Sequence, residues 1–353
     1  MPHKNINALD GLRGMAAYFV VISHFCGATK FGDKHLIFGR IGVMIFFILS
    51  GFLMGYIYLS NNKRPSASDI GRYLVRRFTR VYPLFLAIVL LSFISFNVYD
   101  PRVMFKITDE NLWQHFLLLE GNSVLWTIPV EFLFYFTFIP ILLFSHKYKT
   151  AVIYSLIGFM ALNVMLDYPD FKASGYWFGY SSFFLAGVLV SYFYKAPDTE
   201  PKQTRVHDVV FITCLAFIPI LVPETFYELF LKSSALPDGS SNRQTVDFYL
   251  LFMVIFLYTC LKSKLAGHLL GNKAFRFLGS ISYTVYLIHI PILRYIRIKT
   301  DIDKNLFLYF VVLIVATTVI AYLIHKFFEK PVMNKLNSIY DKKFGKPKTA
   351  AET

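Results

Sequence analysis

The chain has 353 residues, of which 56% are hydrophobic, 18% are aromatic and only 16% are charged. Ordinary soluble domains carry about 25% charged residues, so this balance excludes a disordered chain, a disulfide-stapled secreted module and an ordinary nucleic-acid-binding domain. The net charge of +14 is instead typical of a membrane protein whose Lys- and Arg-rich loops lie beside anionic lipid headgroups.

Ten apolar segments follow one another along the chain, and most approach the roughly 20 residues that a membrane-spanning helix needs. They lie at residues 9–29, 39–60, 82–99, 124–145, 150–167, 176–194, 208–224, 246–262, 278–297 and 305–327. Lys and Arg concentrate in every second connection and in the C-terminal segment, which predicts that both termini lie in the cytoplasm. The predicted fold is an all-α, polytopic integral membrane protein with about ten transmembrane helices. Its membrane domain covers residues 1–330, and residues 331–353 form a short basic cytoplasmic tail.

The first apolar segment contains two ionisable side chains, Arg13 and His24. Eleven residues of α-helix return to nearly the same face after a rise of roughly 16 Å, so these side chains are predicted to line one cleft at different depths. Because ionisable residues inside a membrane are costly, they indicate a functional site. The structural alternative is that Arg13 reaches the lipid headgroups and His24 bonds a neighbouring carbonyl.

The second segment contains Ser50 and Gly51 between bulky apolar residues. Small residues at mid-membrane allow a ligand to approach the backbone closely, but they equally allow a second helix to do so. The sequence leaves both interpretations open, because a ligand site and a tight helix contact use the same residue types.

A basic stretch precedes the third segment and runs from Arg72 to Pro83. Arg72, Arg76 and Arg80 recur every four residues, which makes one stripe on a helix, and Arg77 lies on an adjacent line. Planar guanidinium groups bind phosphates in a bidentate manner, so the stripe indicates a phosphate site. The alternative is an anchor for lipid headgroups at the cytoplasmic surface.

Glu131 lies inside the fourth segment, and the sequence places no cationic residue beside it. A carboxylate at this depth requires a partner, which must come from another helix. We therefore expect Glu131 either to pair structurally with an Arg or His or to take part in chemistry, and the sequence does not separate the two roles.

Two polar patterns near the C-terminal end are predicted to be structural. Ser282, Tyr286 and His289 follow one another at spacings of four and three residues, which makes a polar ridge suited to hydrogen bonds between helices. His325 and Glu329 are four residues apart at the end of the last segment, which predicts a pair on one helical face.

Taken in order, these fragments resemble the acyltransferase-3 family of integral membrane acyltransferases. The resemblance covers Asn5 to about Pro331 and marks the chain as a stand-alone member. The fragments that carry it are Leu9 to Gly14 followed by His24, Phe46 to Leu53, Arg76 to Pro83, Trp126 to Tyr135, Ile281 to His289 and Phe328 to Pro331. One departure is Thr127-Ile128-Pro129-Val130, which stands where the family more usually has Ser-Leu-Ser-Val before the glutamate.

The resemblance implies a protein of the bacterial cytoplasmic (inner) membrane that transfers an acyl group, usually acetyl, from cytoplasmic acyl-CoA. The implied acceptor is a hydroxyl of a cell-envelope glycan, such as lipopolysaccharide O-antigen, capsule or another exopolysaccharide, or of a lipid-linked saccharide. His24 becomes the catalytic base or the acyl-carrying nucleophile, Glu131 its orienting partner, and Ser50, with amides near Gly51, an oxyanion donor. The implied donor site consists of Arg13, Arg76, Arg77, Arg80 and Tyr82.

We expect no metal and no nucleic-acid partner. Cys26, Cys214 and Cys260 lie in apolar stretches without CxxC or Cys/His spacing, so neither a disulfide framework nor a zinc site is predicted. Two other classes of protein remain open on the sequence: a transporter or flippase of envelope saccharides, and a non-catalytic receptor or assembly protein. Absence of CoA binding would favour the transporter, whereas the receptor or assembly protein predicts that His24 and the arginine stripe are dispensable.

Overall fold

Every regular element in the part of the chain that the structure describes is helical. The computed structural model describes residues 6–29, 37–59, 64–165, 176–194, 205–218, 241–301 and 304–345. The α-helices are α1 (Asn7–Gly27), α2 (Ile37–Tyr58), α3 (Ala67–Ile94), α4 (Leu112–Phe116), α5 (Thr127–Met165), α6 (Tyr176–Phe193), α7 (Arg205–Phe217), α8 (Ser241–Lys262), α9 (Lys264–Leu269), α10 (Lys273–Lys299), α11 (Leu306–Ile324) and α12 (Lys330–Phe344). Two π-helical turns, Ser95–Tyr99 and His325–Glu329, and a 3-10 turn, Ser123–Trp126, extend them. The predicted all-α class is confirmed.

Several helical stretches have the length and composition needed to cross a membrane. The five long ones are Gly39–Tyr58, Ala67–Tyr99, Ser123–Asn163, Lys273–Lys299 and Leu306–Phe344, and the shorter apolar helices are Gly179–Phe193 and Phe248–Lys262. These stretches support the predicted multi-pass membrane protein. The predicted segment 208–224 lies outside the described residues beyond position 218.

The break predicted between the fourth and fifth segments, at residues 146–150, is confirmed. The range Thr127–Met165 consists of two helical stretches that meet at Tyr148, whose backbone is not helical, with φ of −121° and ψ of 41°. The label α5 covers both stretches.

α3 begins 15 residues before the third predicted segment and contains the whole basic stretch. Ser66 caps its N-terminus: the Ser66 hydroxyl accepts from the Asp69 amide, and the Asp69 carboxylate accepts from the Ser66 amide at 2.9 Å. This reciprocal pair is a capping box, which satisfies amides that the first helical turn leaves without partners. Because the cap lies before the arginines in the chain, α3 includes all of them.

The chain divides into two compact units. The arginine unit comprises the described parts of Lys63–His146 and Tyr283–Thr353, and the histidine unit comprises those of Lys4–Asn62 and Lys147–Ser282. The arginine unit therefore holds α3 and the start of α5, whereas the histidine unit holds α1, α2 and α6.

Glycine contacts bring α1, α2 and α6 of the histidine unit together. A methyl group at Gly42 would lie 2.5 Å from the Ala16 carbonyl oxygen of α1, and one at Gly51 would overlap the Phe184 carbonyl of α6. Gly187 of α6 faces the α2 backbone in the same way. Such contacts stabilise membrane helices through close van der Waals packing of their backbones.

The predicted basic tail contains an ordered helix, α12, which packs against α3 in the arginine unit. The Thr79 hydroxyl of α3 donates to Asn337 Oδ1 of α12 at 2.9 Å, and both residues are buried. Arg76 of α3 bonds Asp341 of α12 at 2.6 Å. The sequence stretch after Pro331 therefore forms part of the folded unit at least to Phe344.

Candidate functional site

α1 carries both ionisable residues of the first predicted segment. The helix runs without interruption from Asn7 to Gly27, so Arg13 and His24 lie on nearly one face, separated by roughly 16 Å of helix rise. Both side chains are half-buried, while Leu12, Ala16, Ala17 and Val20 on the same helix are buried. His24 therefore lies on a largely buried, apolar helix without being fully buried itself.

Ser50 is half-buried on α2, beside the tightly packed Gly51. The contact of Gly51 with α6 accounts for this glycine by helix packing. The Gly51 amide lies in the interior of α2, where amides donate to carbonyls four residues earlier. The hydroxyl of Ser50 is therefore better suited to an oxyanion than the neighbouring amides are.

A hydrogen-bonded pair occupies the first turns of α5 in the arginine unit. The Tyr135 hydroxyl donates to Glu131 Oε1 at 2.5 Å, and Tyr135 is only 2% exposed. The Tyr73 hydroxyl of α3, which is fully buried, donates to the Tyr135 carbonyl at 3.0 Å. This chain of contacts holds the Glu131 carboxylate on an α5 segment that is attached directly to α3.

Arg77 and Arg80 bring positive charge to the same place. Both guanidinium groups lie within electrostatic range of the Tyr135 hydroxyl, and Arg80 and Glu131 both act electrostatically on Tyr283 of α10. The structure thus brings together three of the predicted site residues: Arg77 and Arg80 of α3, and Glu131, which lies more than 50 residues further along the chain. We call this group, with Tyr135 and Tyr283, the arginine–glutamate cluster.

A second carboxylate, Glu329, lies next to this cluster. It is 9% exposed and sits in the π-helical turn that follows α11. The Thr284 hydroxyl donates to Glu329 Oε2 at 2.5 Å, and His325 Nδ1 lies 2.9 Å from the same oxygen. The predicted His325–Glu329 pair is confirmed, and Glu329 also acts electrostatically on Tyr283.

Two other predicted donor residues in this unit have different surroundings. Arg76 forms its ion pair with Asp341 of α12, and Arg72 donates to the Gly345 carbonyl at 2.8 Å. The Tyr82 hydroxyl donates to the Phe116 carbonyl at 2.9 Å. The basic stretch is therefore divided between contacts with α12 and the arginine–glutamate cluster.

The polar ridge predicted on α10 contributes to helix contacts. The Tyr286 hydroxyl donates to the Val124 carbonyl at 2.9 Å, which joins α10 to the turn before α5. The Ser282 hydroxyl instead donates to the Gly279 carbonyl of its own helix at 2.8 Å. The predicted bond between helices is thus confirmed for Tyr286.

Sequence reasoning assigned no role to Tyr135 or Tyr283. Tyr135 follows Glu131 by four residues, and this spacing is a signal that could have identified the pair. Tyr283 is different, because its hydroxyl donates to the Val81 carbonyl of α3 at 2.7 Å, and that contact exists only in the folded unit. Chemically, the cluster offers cations for an anionic group and a positioned carboxylate.

Comparison with known proteins gives a consistent set of relatives. The chain matches the acyltransferase domain family over residues 6–326. YrhL of Bacillus subtilis is 25% identical over 94% of this chain and 55% of its own length. The O-acetyltransferase OatA of Staphylococcus aureus is 24% identical over 94% and 58%, and the peptidoglycan O-acetyltransferase OatA of Listeria monocytogenes is 23% identical over 93% and 56%. The chain thus spans little more than half the length of these relatives. No solved structure matches it.

Proposed function

The chain belongs to the acyltransferase-3 family, and from that premise we propose that it is a membrane O-acetyltransferase. The donor is acetyl-CoA from the cytoplasm, and the acceptor is a hydroxyl of a cell-envelope glycan. Peptidoglycan is the first acceptor to test, because a relative carries that glycan in its name. The next acceptors to test are lipopolysaccharide O-antigen, capsule and lipid-linked saccharides.

The observation that carries this proposal is the arginine–glutamate cluster. Arg77 and Arg80 supply two cations on α3 beside the hydrogen-bonded Glu131 and Tyr135. Guanidinium groups held beside apolar helices bind an anionic substrate strongly, because the surroundings screen the charges less than water does. A CoA thioester carries such anionic groups on its nucleotide end.

His24 acts on the acceptor in this proposal. Its imidazole takes the proton of the acceptor hydroxyl as the oxygen attacks the thioester carbonyl, and Ser50 donates a hydrogen bond to the resulting oxyanion. The tetrahedral intermediate then expels the CoA thiolate, which receives the proton from the imidazolium. In a two-step variant the imidazole nitrogen attacks the thioester carbonyl first, the C–S bond breaks, and CoA leaves as its thiol with the imidazole proton, which gives an acetyl-imidazole at His24. The acceptor oxygen then attacks this acetyl group, the acyl–nitrogen bond breaks, and the hydroxyl proton passes to the imidazole.

The proposed location is the cytoplasmic membrane of a bacterium, with both termini in the cytoplasm, and the concentration of Lys and Arg in alternate connections supports this orientation. Donor phosphates then approach Arg76, Arg77 and Arg80 from the cytoplasmic side, with Tyr82 as a further contact in the same unit. Glu131 balances an arginine of this unit.

The test uses the purified chain in nanodiscs. Release of free thiol from acetyl-CoA is measured with and without peptidoglycan fragments, O-antigen or capsule, in parallel with transfer of labelled acetyl to the glycan. We expect His24→Ala to lose activity by at least a hundredfold without loss of melting temperature.

His268→Ala is the matched control. His268 is an exposed histidine of α9 whose Nδ1 lies 2.9 Å from the Lys264 carbonyl of its own helix. We expect this variant to retain full activity.

Unchanged acetyl transfer by His24→Ala would show that His24 takes no part in the reaction. If the wild-type chain neither binds CoA nor releases thiol, the proposal of an enzyme fails and a transporter is favoured.

A further inference from the structure

A polar cavity of about 440 Å³ lies between α3 and the C-terminal helix α12 of the arginine unit. It is lined by Arg76, Asn334, Asn337, Ser338, Asp341 and Lys342. All but Arg76 come from α12, which begins after the end of the matched family domain at residue 326. The volume is within the range of small-molecule sites, which is about 300–1,000 Å³.

The orientation of α12 is unusual for a helix that packs on a protein. Asn334, Asn337, Ser338 and Asp341 recur at spacings of three and four residues, so a polar face of α12 lines the cavity. On the same helix Ile339 is 54% exposed. A packed helix normally buries its apolar stripe, so a polar face turned toward α3 requires polar partners.

Contacts with α3 satisfy part of this polar face. The buried Asn337 accepts from Thr79 at 2.9 Å, and Asp341 bonds Arg76 at 2.6 Å. Asp341 also lies 4.0 Å from Arg72 Nε. Arg72 also lies 3.8 Å from Asp69 and does not line the cavity. Among the lining residues, the cations Arg76 and Lys342 face the single carboxylate of Asp341, which leaves the cavity wall with one net positive charge.

The lining specifies the chemistry of a ligand. Arg76 and Lys342 are cations, and Asn334 and Ser338 offer neutral donors and acceptors. No apolar side chain is among the lining residues that the structure describes. The cavity therefore suits a phosphorylated sugar or nucleotide better than an acyl chain.

We propose that this cavity binds the phosphorylated nucleoside end of the acyl-CoA donor, with Lys342 and Arg76 at a phosphate and Asn334 and Ser338 at the sugar. The inference rests on the proposed function. Arg76 and Arg77 are consecutive residues of α3, so their backbones are adjacent, although their side chains point about 100° apart around the helix. The C-terminal helix thereby supplies donor contacts from outside the matched domain.

The test measures CoA binding by the full-length chain in phosphatidylcholine nanodiscs, with Lys342→Ala and Lys343→Ala as a matched pair. Both substitutions remove one exposed lysine from the same helix, but Lys343 does not line the cavity, and its ammonium lies 5.5 Å from the Phe344 ring. We expect Lys342→Ala to weaken CoA binding about tenfold, the effect of one lost charge-assisted hydrogen bond. Lys343→Ala should change it less than twofold.

A second probe, adenosine 3′,5′-bisphosphate, represents the nucleotide end alone. It should compete with CoA on the wild-type chain and compete about tenfold less well on Lys342→Ala. If the wild-type chain binds CoA and the two lysine variants bind it equally, the cavity is not the nucleotide site, although the proposed function stands. If the wild-type chain does not bind CoA at all, the proposed function fails first, and this inference fails with it.

Discussion

The Tyr135 hydroxyl and the Glu131 carboxylate form a 2.5 Å hydrogen bond across one turn of α5. Tyr135 is in turn held by the buried Tyr73 of α3, which donates to its backbone carbonyl. The contact with Tyr73 therefore holds Tyr135 in place, and Tyr135 in turn holds the Glu131 carboxylate. Tyr135 is a positioning residue for Glu131 in the proposed reaction.

Replacing Tyr135 by Phe should lower the rate of acetyl transfer about tenfold or more, because a hydrogen bond to a charged group contributes about 1.5–3 kcal/mol. The measurement is steady-state thiol release with acceptor, together with CoA affinity. We expect the turnover number to fall and CoA affinity to hold within twofold. Tyr154→Phe is the control on the same helix, since Tyr154 is 69% exposed. Equal rates for Tyr135→Phe and Tyr154→Phe would show that the bond has no part in transfer.

Gly51→Ala should destabilise the chain, because the new methyl group would overlap the Phe184 carbonyl of α6. Forcing an extra methyl group into a packed contact costs about 1–3 kcal/mol. Thermal unfolding in detergent is the measurement.

Gly158→Ala is the matched glycine control in α5. No atom lies within 4 Å of a methyl group placed there in the described structure, so the variant should be about 0.5–1 kcal/mol more stable through helix propensity. A Gly51→Ala protein as stable as Gly158→Ala would contradict the close contact between α2 and α6.

Thr284→Val should destabilise the arginine unit by about 1–3 kcal/mol, because it removes a hydroxyl donor from the largely buried Glu329. Thr317→Val is the comparison on α11. The Thr317 hydroxyl is also fully buried but has no hydrogen-bond partner among the described residues. Its replacement by an isosteric apolar group should be neutral or stabilising. The measurement is the melting temperature of each variant. A larger decrease for Thr317→Val than for Thr284→Val would contradict the hydrogen bond between Thr284 and Glu329.

A double-mutant cycle on Arg76→Ala and Asp341→Ala should give a coupling energy of about 0.2–1 kcal/mol. The pair is short, at 2.6 Å, but the Arg76 side chain is 35% exposed, so solvent screens the attraction. The free energy of unfolding is measured for the wild type, both single variants and the double variant. A coupling above about 3 kcal/mol would indicate a desolvated pair, which would leave Arg76 unable to share its charge with a ligand.

The apolar pattern of the sequence predicted the helical membrane class and the extent of α1, because burial in lipid requires long apolar helices with every backbone group bonded internally. The spacing of the arginines predicted a helix around them, but the apolar pattern begins only at residue 82, which is 15 residues after the start of α3. Arg72 to Arg80 interrupt the apolar pattern, whereas the helix is set by the Ser66–Asp69 cap and by α12 packing beside it. The tail helix was missed for the same reason, since its partner α3 is distant in sequence.

The site residues also show a difference between what the sequence predicts and what the fold adds. Sequence alone identifies the chemically unusual residues: Arg77, Arg80 and Glu131 are charged residues within or beside apolar helices, and a charge there is costly without a partner. The partners of these residues depend on the tertiary fold. Arg77 and Arg80 lie near Tyr135, whereas Arg76 turns to Asp341, although all three arginines are neighbours in sequence. The physical reason is that Arg77 lies about 100° around α3 from Arg76, and Arg80 lies about one turn further along the helix on the face of Arg76. Which segment packs beside each of these positions is determined by contacts between distant parts of the chain.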